Sequence, residues 1–114
     1  MTDDDTTIRN RLIARREELQ ALADSAAEAR GPVTLDQQSV GRLSRMDAMQ
    51  QQAMAQANDR ARTAELSRID AALHRLAEGE YGYCLDCGDE IAEKRLQIDP
   101  TAALCIACAA SREK

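Results

Sequence analysis

Apolar residues recur every three or four positions along two long stretches of the chain. This spacing is typical of helices that pack against a partner through one face. The first stretch predicts a helix from about residue 6 to residue 30, with Thr6 or Thr7 as its N-cap. The apolar seam of this helix contains Ile8, Leu12, Leu19, Leu22, Ala26 and Ala29, with Arg15 filling one slot.

The second stretch predicts a helix from about residue 36 to residue 78, capped by Asp36 and ended by Gly79. Its seam falls into two stripes that are shifted relative to each other. We expect the first stripe to face the first helix and the second to face the C-terminal part of the chain. The first contains Val40, Leu43, Met46, Gln50, Ala53, Ala57, Ala61 and Ala64, and the second contains Leu66, Ile69, Leu73 and Leu76.

Gly31 and Pro32 separate the two predicted helices. Pro32 cannot continue a helix, and Gly31 suits the position just after a helix end. A link as short as residues 31–35 makes its two helices antiparallel neighbours. The sequence therefore predicts an all-α fold in which residues 1–78 form a long antiparallel helical hairpin, or coiled coil. A small module at residues 79–114, ending in a short helix, comes after the hairpin.

The composition suits long helices better than a compact globule. Among 114 residues there is no Phe or Trp, and the two Tyr residues are the only aromatic ones. A domain of this size normally fills its core with aromatic side chains. Something other than a large apolar core is therefore expected to stabilise the C-terminal module.

All four cysteines lie in that module, as two C-x-x-C pairs separated by 17 residues. Cys84 and Cys87 form the first pair, and Cys105 and Cys108 form the second. Two residues between paired cysteines let one turn direct both sulfurs at the same ion, and this spacing is typical of a zinc site. Gly88, just after the first pair, provides the positive φ that such a turn needs. We predict one structural zinc ion held by the four thiolates.

Two other uses of the cysteines carry less weight. Two disulfides require an oxidising compartment, and a thioredoxin-like redox motif needs a single pair in a βαβ context. Four protein thiolates fill the coordination sphere of zinc and leave no position for a reactive water. Metal-based catalysis is therefore not expected. Since no nucleophile, base and orienting group stand out in the sequence, we do not expect an enzyme.

The charge of the chain argues against direct binding to nucleic acid. The formal net charge is −5, and none of the segments 1–30, 31–78 and 79–114 has more basic than acidic residues. Zinc fingers that bind DNA or RNA usually show a clustered basic surface, so a protein partner is favoured. The start of the chain lacks a signal pattern, and no apolar run is long enough to span a bilayer. We expect a cytoplasmic protein without a membrane segment.

The residues around the cysteines resemble the zinc-finger signature of the DksA/TraR family of bacterial transcription regulators. About a quarter of the chain carries this resemblance, and the long helices before it fit the family's architecture. The matching positions are Gly79 to Cys84, Cys87, Gly88, Ile91, Arg95, Leu96, Pro100 to Ala102 and Leu104 to Cys108.

The resemblance implies a function for the hairpin. Members of this family bind RNA polymerase core and not DNA. Their hairpin enters the secondary channel, where its tip alters the stability of promoter complexes. Several members act together with guanosine tetraphosphate, for which Arg68 and Arg95 are the candidate phosphate contacts here. We expect a monomer, because Gly31 and Pro32 favour folding back over pairing with a second copy.

The predicted tip departs from the family pattern. Characterised members carry two aspartates near an alanine at the tip, whereas this chain offers Asp36 and then a more basic stretch. We take Asp36, Arg42, Arg45 and Asp47 as candidate partner-binding residues. This departure leaves open a zinc-stabilised module that binds a protein other than polymerase. The cysteines leave open a second alternative, a thiol sensor that releases zinc on oxidation.

Overall fold

The computed structural model describes residues 3–29 and 42–113. Two long helices precede two short ones, and an antiparallel bridge joins Tyr83 to Glu90. The predicted all-α class, a hairpin followed by a four-cysteine module, is confirmed. The predicted turn at residues 31–35 lies outside the described residues. The helices are α1 (Asp3–Ala29), α2 (Arg42–Glu78), α3 (Glu93–Ile98) and α4 (Ile106–Glu113).

Helix α1 begins earlier than predicted. Its first residue is Asp3, and the expected cap Thr7 lies inside the helix, where its Oγ1 donates to the carbonyl oxygen of Asp3 over 3.0 Å. Asp3, Asp4 and Asp5 all lie in the first turn. Carboxylates are favoured there because the free N–H groups give a helix N-terminus a partial positive charge.

The end of α2 is the one predicted. Gly79 has φ +73°, its N–H donates to the carbonyl oxygen of Leu76, and the N–H of Glu80 donates to that of Arg75. These two bonds form a Schellman motif, which satisfies carbonyl groups that a helix end leaves free.

The described residues group into two compact units. Unit 1 joins residues 3–16 with residues 67–113, and unit 2 contains the described part of residues 17–66. In unit 1, Arg16 Nε lies 3.3 Å from Asp70 Oδ1, so α1 lies beside α2. The buried apolar side chains of unit 1 are Leu12, Ile69, Ala72, Leu76, Cys84, Ile91 and Ala102. The proposed domain limits of 1–78 and 79–114 stay a prediction.

In unit 2 the seam differs from the predicted one. Leu19 is buried and Ala26 is half-buried, as predicted, but Leu22 is 48% exposed and the half-buried position beside it is Ala23. On α2 the described members of the first predicted stripe, from Met46 to Ala64, are all exposed. The half-buried positions are instead Ala55, Asp59, Arg62 and Glu65, followed by Leu66, which belongs to the second predicted stripe.

The physical reason is the register of a continuous helix. Counting back from Leu76 in steps of three and four leads through Ile69 and Leu66 to Arg62 and Asp59. Because α2 has no break, this seam runs on without a shift. Arg62 Nη1 donates to Asp59 Oδ1 over 2.9 Å, and this ion pair allows two charged side chains to lie in the seam.

Candidate metal centre

The first cysteine pair lies in a tight turn at the end of a small hairpin. The N–H of Cys84 donates to the carbonyl oxygen of Asp89 over 2.8 Å, and the N–H of Gly88 donates back to the carbonyl oxygen of Cys84 over 2.9 Å. Gly88 has φ +78°, as predicted from its place after Cys87. A residue with a Cβ adopts this left-handed conformation only at a cost. The turn brings the sulfurs of Cys84 and Cys87 close enough to bind the same ion.

The second pair lies at the start of α4. Cys105 directly precedes the helix, and the N–H of Ala109 donates to its carbonyl oxygen over 2.9 Å. The N–H of Cys108, in the first turn, lies 3.5 Å from the sulfur of Cys105. The start of α4 therefore positions both cysteines of the second pair.

The four sulfur atoms come together. All of them lie within 4.8 Å of one another, and the sulfurs of Cys87 and Cys105 are 3.8 Å apart. Zinc–sulfur bonds of about 2.3 Å in a tetrahedron place the sulfurs about 3.8 Å apart, whereas a disulfide bond is about 2.05 Å long. The cysteines are free, and their geometry fits a tetrahedral zinc ion.

The pKa values of the cysteine thiols also fit a cation site. Backbone N–H groups of Cys105 and Cys87 lower the pKa of Cys84 to about 6. In contrast, hydrogen bonds with the sulfurs of Cys105, Cys84 and Cys87 raise the pKa of Cys108 well above its usual value. Crowded thiols cannot all ionise without a compensating positive charge, which a divalent metal supplies.

Side chains outside the cluster support its two turns. Tyr81 donates its hydroxyl to the carbonyl oxygen of Pro100 over 2.7 Å, and Arg95 Nε donates to the carbonyl oxygen of Leu104 over 2.9 Å. Leu104 directly precedes Cys105, so α3 and the second turn are held together by this bond. Arg95, predicted as an alarmone contact, is thus bonded to the backbone here.

A cleft of roughly 340 Å³ in unit 1 is lined by three arginines, Arg68, Arg75 and Arg95, and also by Asp99. Arg75 is only 8% exposed, and its buried Nη2 has no hydrogen-bond partner among the described protein atoms. Arg75 is not among the site residues predicted from the sequence. The signal was present, because Arg68 and Arg75 are seven residues apart and so share one face of α2.

The candidate tip residues are described only in part. Asp36 lies outside the described residues, and Arg42 is the first residue of α2, without a described side chain. Arg45 and Asp47 are exposed in the first two turns. Their assigned roles stay a prediction.

Comparison with known proteins identifies the module. Residues 79–114 match the family model of the prokaryotic dksA/traR C4-type zinc finger. The C-terminal module is a DksA/TraR zinc finger. The family resemblance seen in the sequence is therefore confirmed.

The similarity to proteins of the DksA/TraR family covers a different share of the chain in each comparison. The RNA polymerase-binding transcription factor DksA of Haemophilus influenzae is 46% identical over 43 residues, which span 38% of this chain and 30% of that protein. The solved structure of transcription factor DksA2 from Pseudomonas aeruginosa has a TM-score of 0.73 at 28% identity, covering 96% of this chain and 82% of that one.

A second solved structure shows the shared fold alone. It is the RNA polymerase binding protein and transcriptional regulator Dks from Chlamydia trachomatis, with a TM-score of 0.61 at 20% identity, covering 99% of this chain and 92% of that one. Within residues 3–29 and 42–113, no helix combines the length and apolar character needed to cross a bilayer.

Proposed function

We propose that this protein is a bacterial transcription regulator that binds RNA polymerase core through its helical hairpin. The observation that supports this best is that both the overall fold and the zinc finger match proteins of the DksA/TraR family. A DksA/TraR zinc finger follows two long helices, and the likeness to Pseudomonas aeruginosa DksA2 covers 96% of the chain. The hairpin acts from the secondary channel of polymerase, and the protein does not bind DNA directly.

The size and surface of α2 support this role. Its 37 residues span about 55 Å at 1.5 Å per residue, which is enough to reach into a deep channel. Its exposed methionines, Met46, Met49 and Met54, are 61%, 69% and 66% accessible. Methionine adapts to irregular protein surfaces. These side chains favour a protein partner, and they equally support the alternative of a partner other than polymerase.

We further propose that the four cysteines hold a single structural zinc ion. The zinc stabilises the module, while the hairpin acts on polymerase in the cytoplasm as a monomer. Zinc release on oxidation is the other open alternative for this site, and unchanged zinc content after mild peroxide treatment contradicts it.

A binding assay tests the polymerase proposal. Labelled protein is titrated with bacterial core polymerase and then competed with a known secondary-channel factor. We expect binding in the micromolar range or tighter, and displacement by the competitor. Absence of binding, or binding that the competitor does not affect, contradicts the proposal and points to a different partner.

The binding assay, combined with a measurement of promoter-complex lifetime, tests the tip. Asp36→Ala, Arg42→Ala and Arg45→Ala are compared with Arg60→Ala, which changes an exposed arginine farther along α2. We expect the tip variants to change promoter-complex lifetime more than affinity, because the tip lies nearest the active site. An equal effect from Arg60→Ala contradicts a specific role for the tip.

Guanosine tetraphosphate is the proposed co-effector, with its phosphates in the arginine cleft. Three guanidinium groups, one of them with an unsatisfied buried Nη2, outnumber the carboxylate of Asp99 in the lining and favour a multiply charged anion. Arg68→Ala and Arg75→Met are expected to abolish the effect of the alarmone on the polymerase complex without abolishing polymerase binding. Lys94→Ala, an exposed change in α3, is the matched control. A full alarmone response in both arginine variants contradicts the proposal.

A further inference from the structure

An ion pair outside the cysteine cluster joins the two turns that supply the ligands. Asp86 lies between Cys84 and Cys87, and Arg112 lies in the last turn of α4. Arg112 Nε donates to Asp86 Oδ2 over 2.9 Å, and its Nη2 donates to Oδ1 over 2.6 Å. The two parallel bonds form the fork geometry that makes arginine–carboxylate pairs strong.

The position of Arg112 links this pair to the second cysteine turn. Cys108 is in the first turn of α4, and Arg112 follows it by one turn of the same helix. Because a helix is stiff, holding Arg112 also limits the movement of Cys108. The first turn is tied elsewhere by the N–H of Leu85, which donates to the carbonyl oxygen of Ala103 over 2.9 Å. The ion pair adds a restraint on α4 that this backbone bond does not provide.

Zinc leaves a four-cysteine site one sulfur at a time. Between steps, a displaced sulfur either returns to the ion or is replaced by a competing chelator. A restraint that keeps the second turn in place favours return. The rate of zinc loss is therefore sensitive to contacts that never touch the metal.

We propose that Asp86 and Arg112 are positioning residues that hold the two cysteine turns together and slow the release of zinc. Their effect comes from the ion pair as a unit. It is separate from polymerase binding and does not depend on it.

A competing account gives Arg112 a purely electrostatic role. Its pKa is raised, first by the hydrogen bonds and charge of Asp86 and then by the nearby sulfurs of Cys108 and Cys84. If only the positive charge mattered, removing the carboxylate would leave Arg112 freer to balance the thiolates. Asp86→Asn would then slow zinc release, whereas loss of a structural pair speeds it.

The test measures zinc transfer from the full, zinc-loaded chain to a chromophoric chelator, without oxidant. We expect Asp86→Asn and Arg112→Gln each to speed release about three- to fivefold, which suits an exposed but bidentate pair. The double variant is expected to release zinc no faster than either single variant. The charge-reversed pair Asp86→Arg with Arg112→Asp is expected to restore most of the slow rate.

Controls separate this effect from general loosening. Arg16→Gln breaks the exposed ion pair with Asp70 in the same unit and is expected to leave release unchanged. The difference between wild type and the double variant is expected to shrink in ~1 M salt, where exposed charges are screened. Slower release in Asp86→Asn, or unchanged release in both single variants, overturns the proposal.

Discussion

At the scale of single residues, Tyr81 joins two loops of the zinc module. Its hydroxyl donates to the carbonyl oxygen of Pro100 over 2.7 Å, just ahead of the second cysteine turn. Burial raises the pKa of Tyr81 above its usual value, because an apolar environment disfavours the phenolate. The neutral hydroxyl is therefore the form that the fold stabilises.

Tyr81→Phe is expected to lower the free energy of unfolding by about 1 kcal/mol at pH 7, the contribution of one hydrogen bond. Since the folded pKa of Tyr81 is raised, its contribution is complete below pH 10 and is lost as the pH rises through the folded pKa. Urea unfolding from pH 7 to 11 checks both effects. Tyr83→Phe, at a tyrosine that is 47% exposed, is the control. Equal losses in the two variants contradict the role of Tyr81.

Gly79 makes a second prediction at this scale. A Cβ added there meets no atom within 4 Å, so the penalty of substitution comes from its φ of +73° alone. Gly79→Ala is expected to lower the free energy of unfolding by about 1 kcal/mol, and Gly79→Asn by less, because asparagine tolerates this conformation better. Thermal unfolding of both variants checks this. A larger loss in the Asn variant would contradict it.

At the scale of helices, the seam of unit 2 is more polar and less buried than that of unit 1. Asp59 and Arg62 lie in it at 31% and 16% side-chain exposure. A cavity of roughly 300 Å³ is lined by Ala23 and Ala27 together with this pair. Charged seam residues favour one register at the expense of stability.

Replacing the ion pair tests this interpretation. The double variant Asp59→Leu with Arg62→Leu is expected to raise the free energy of unfolding by about 1 kcal/mol, because partly buried ion pairs are often weaker than apolar packing. Either single variant is expected to destabilise, since it leaves one charge half-buried. Hydrogen exchange within residues 45–66 measures the local effect. A double variant less stable than both single variants would show that the pair itself holds the helices together.

Features that depend on a few neighbouring residues were predicted better than the register in which the two long helices pack. The cysteine spacing, Gly79 and Gly88 each require one geometry, and the structure has it. The exposed stripe from Met46 to Ala64 misled the prediction because alanine is apolar yet gains little from burial. Helix α3 was missed, since six residues are too few to show a periodic pattern. The spacing of Arg68 and Arg75 placed both on one face of α2, but the burial of Arg75 could not be predicted because it depends on packing by the zinc module.

At the scale of the whole molecule, apolar burial stabilises the long helices, whereas the C-terminal module depends on zinc. The long helices bury Leu12, Ile69 and Leu76. Within the described part of residues 79–113, the buried apolar side chains are Cys84, Ile91 and Ala102. So small a core does not offset the entropy of ordering the module, and zinc binding has to supply the difference.

Removing zinc from the intact chain is therefore expected to unfold the module while the hairpin keeps most of its helix. Far-UV circular dichroism should lose about the signal of α3 and α4, and the absorbance of Tyr81 should move towards that of exposed tyrosine. Lowering the pH should have the same effect on loaded protein, because protons compete with zinc for the thiolates. Cys105→Ser provides a chelator-free comparison. Loss of all helix on chelation would show that the hairpin depends on the module, and no loss would show that zinc is not structural.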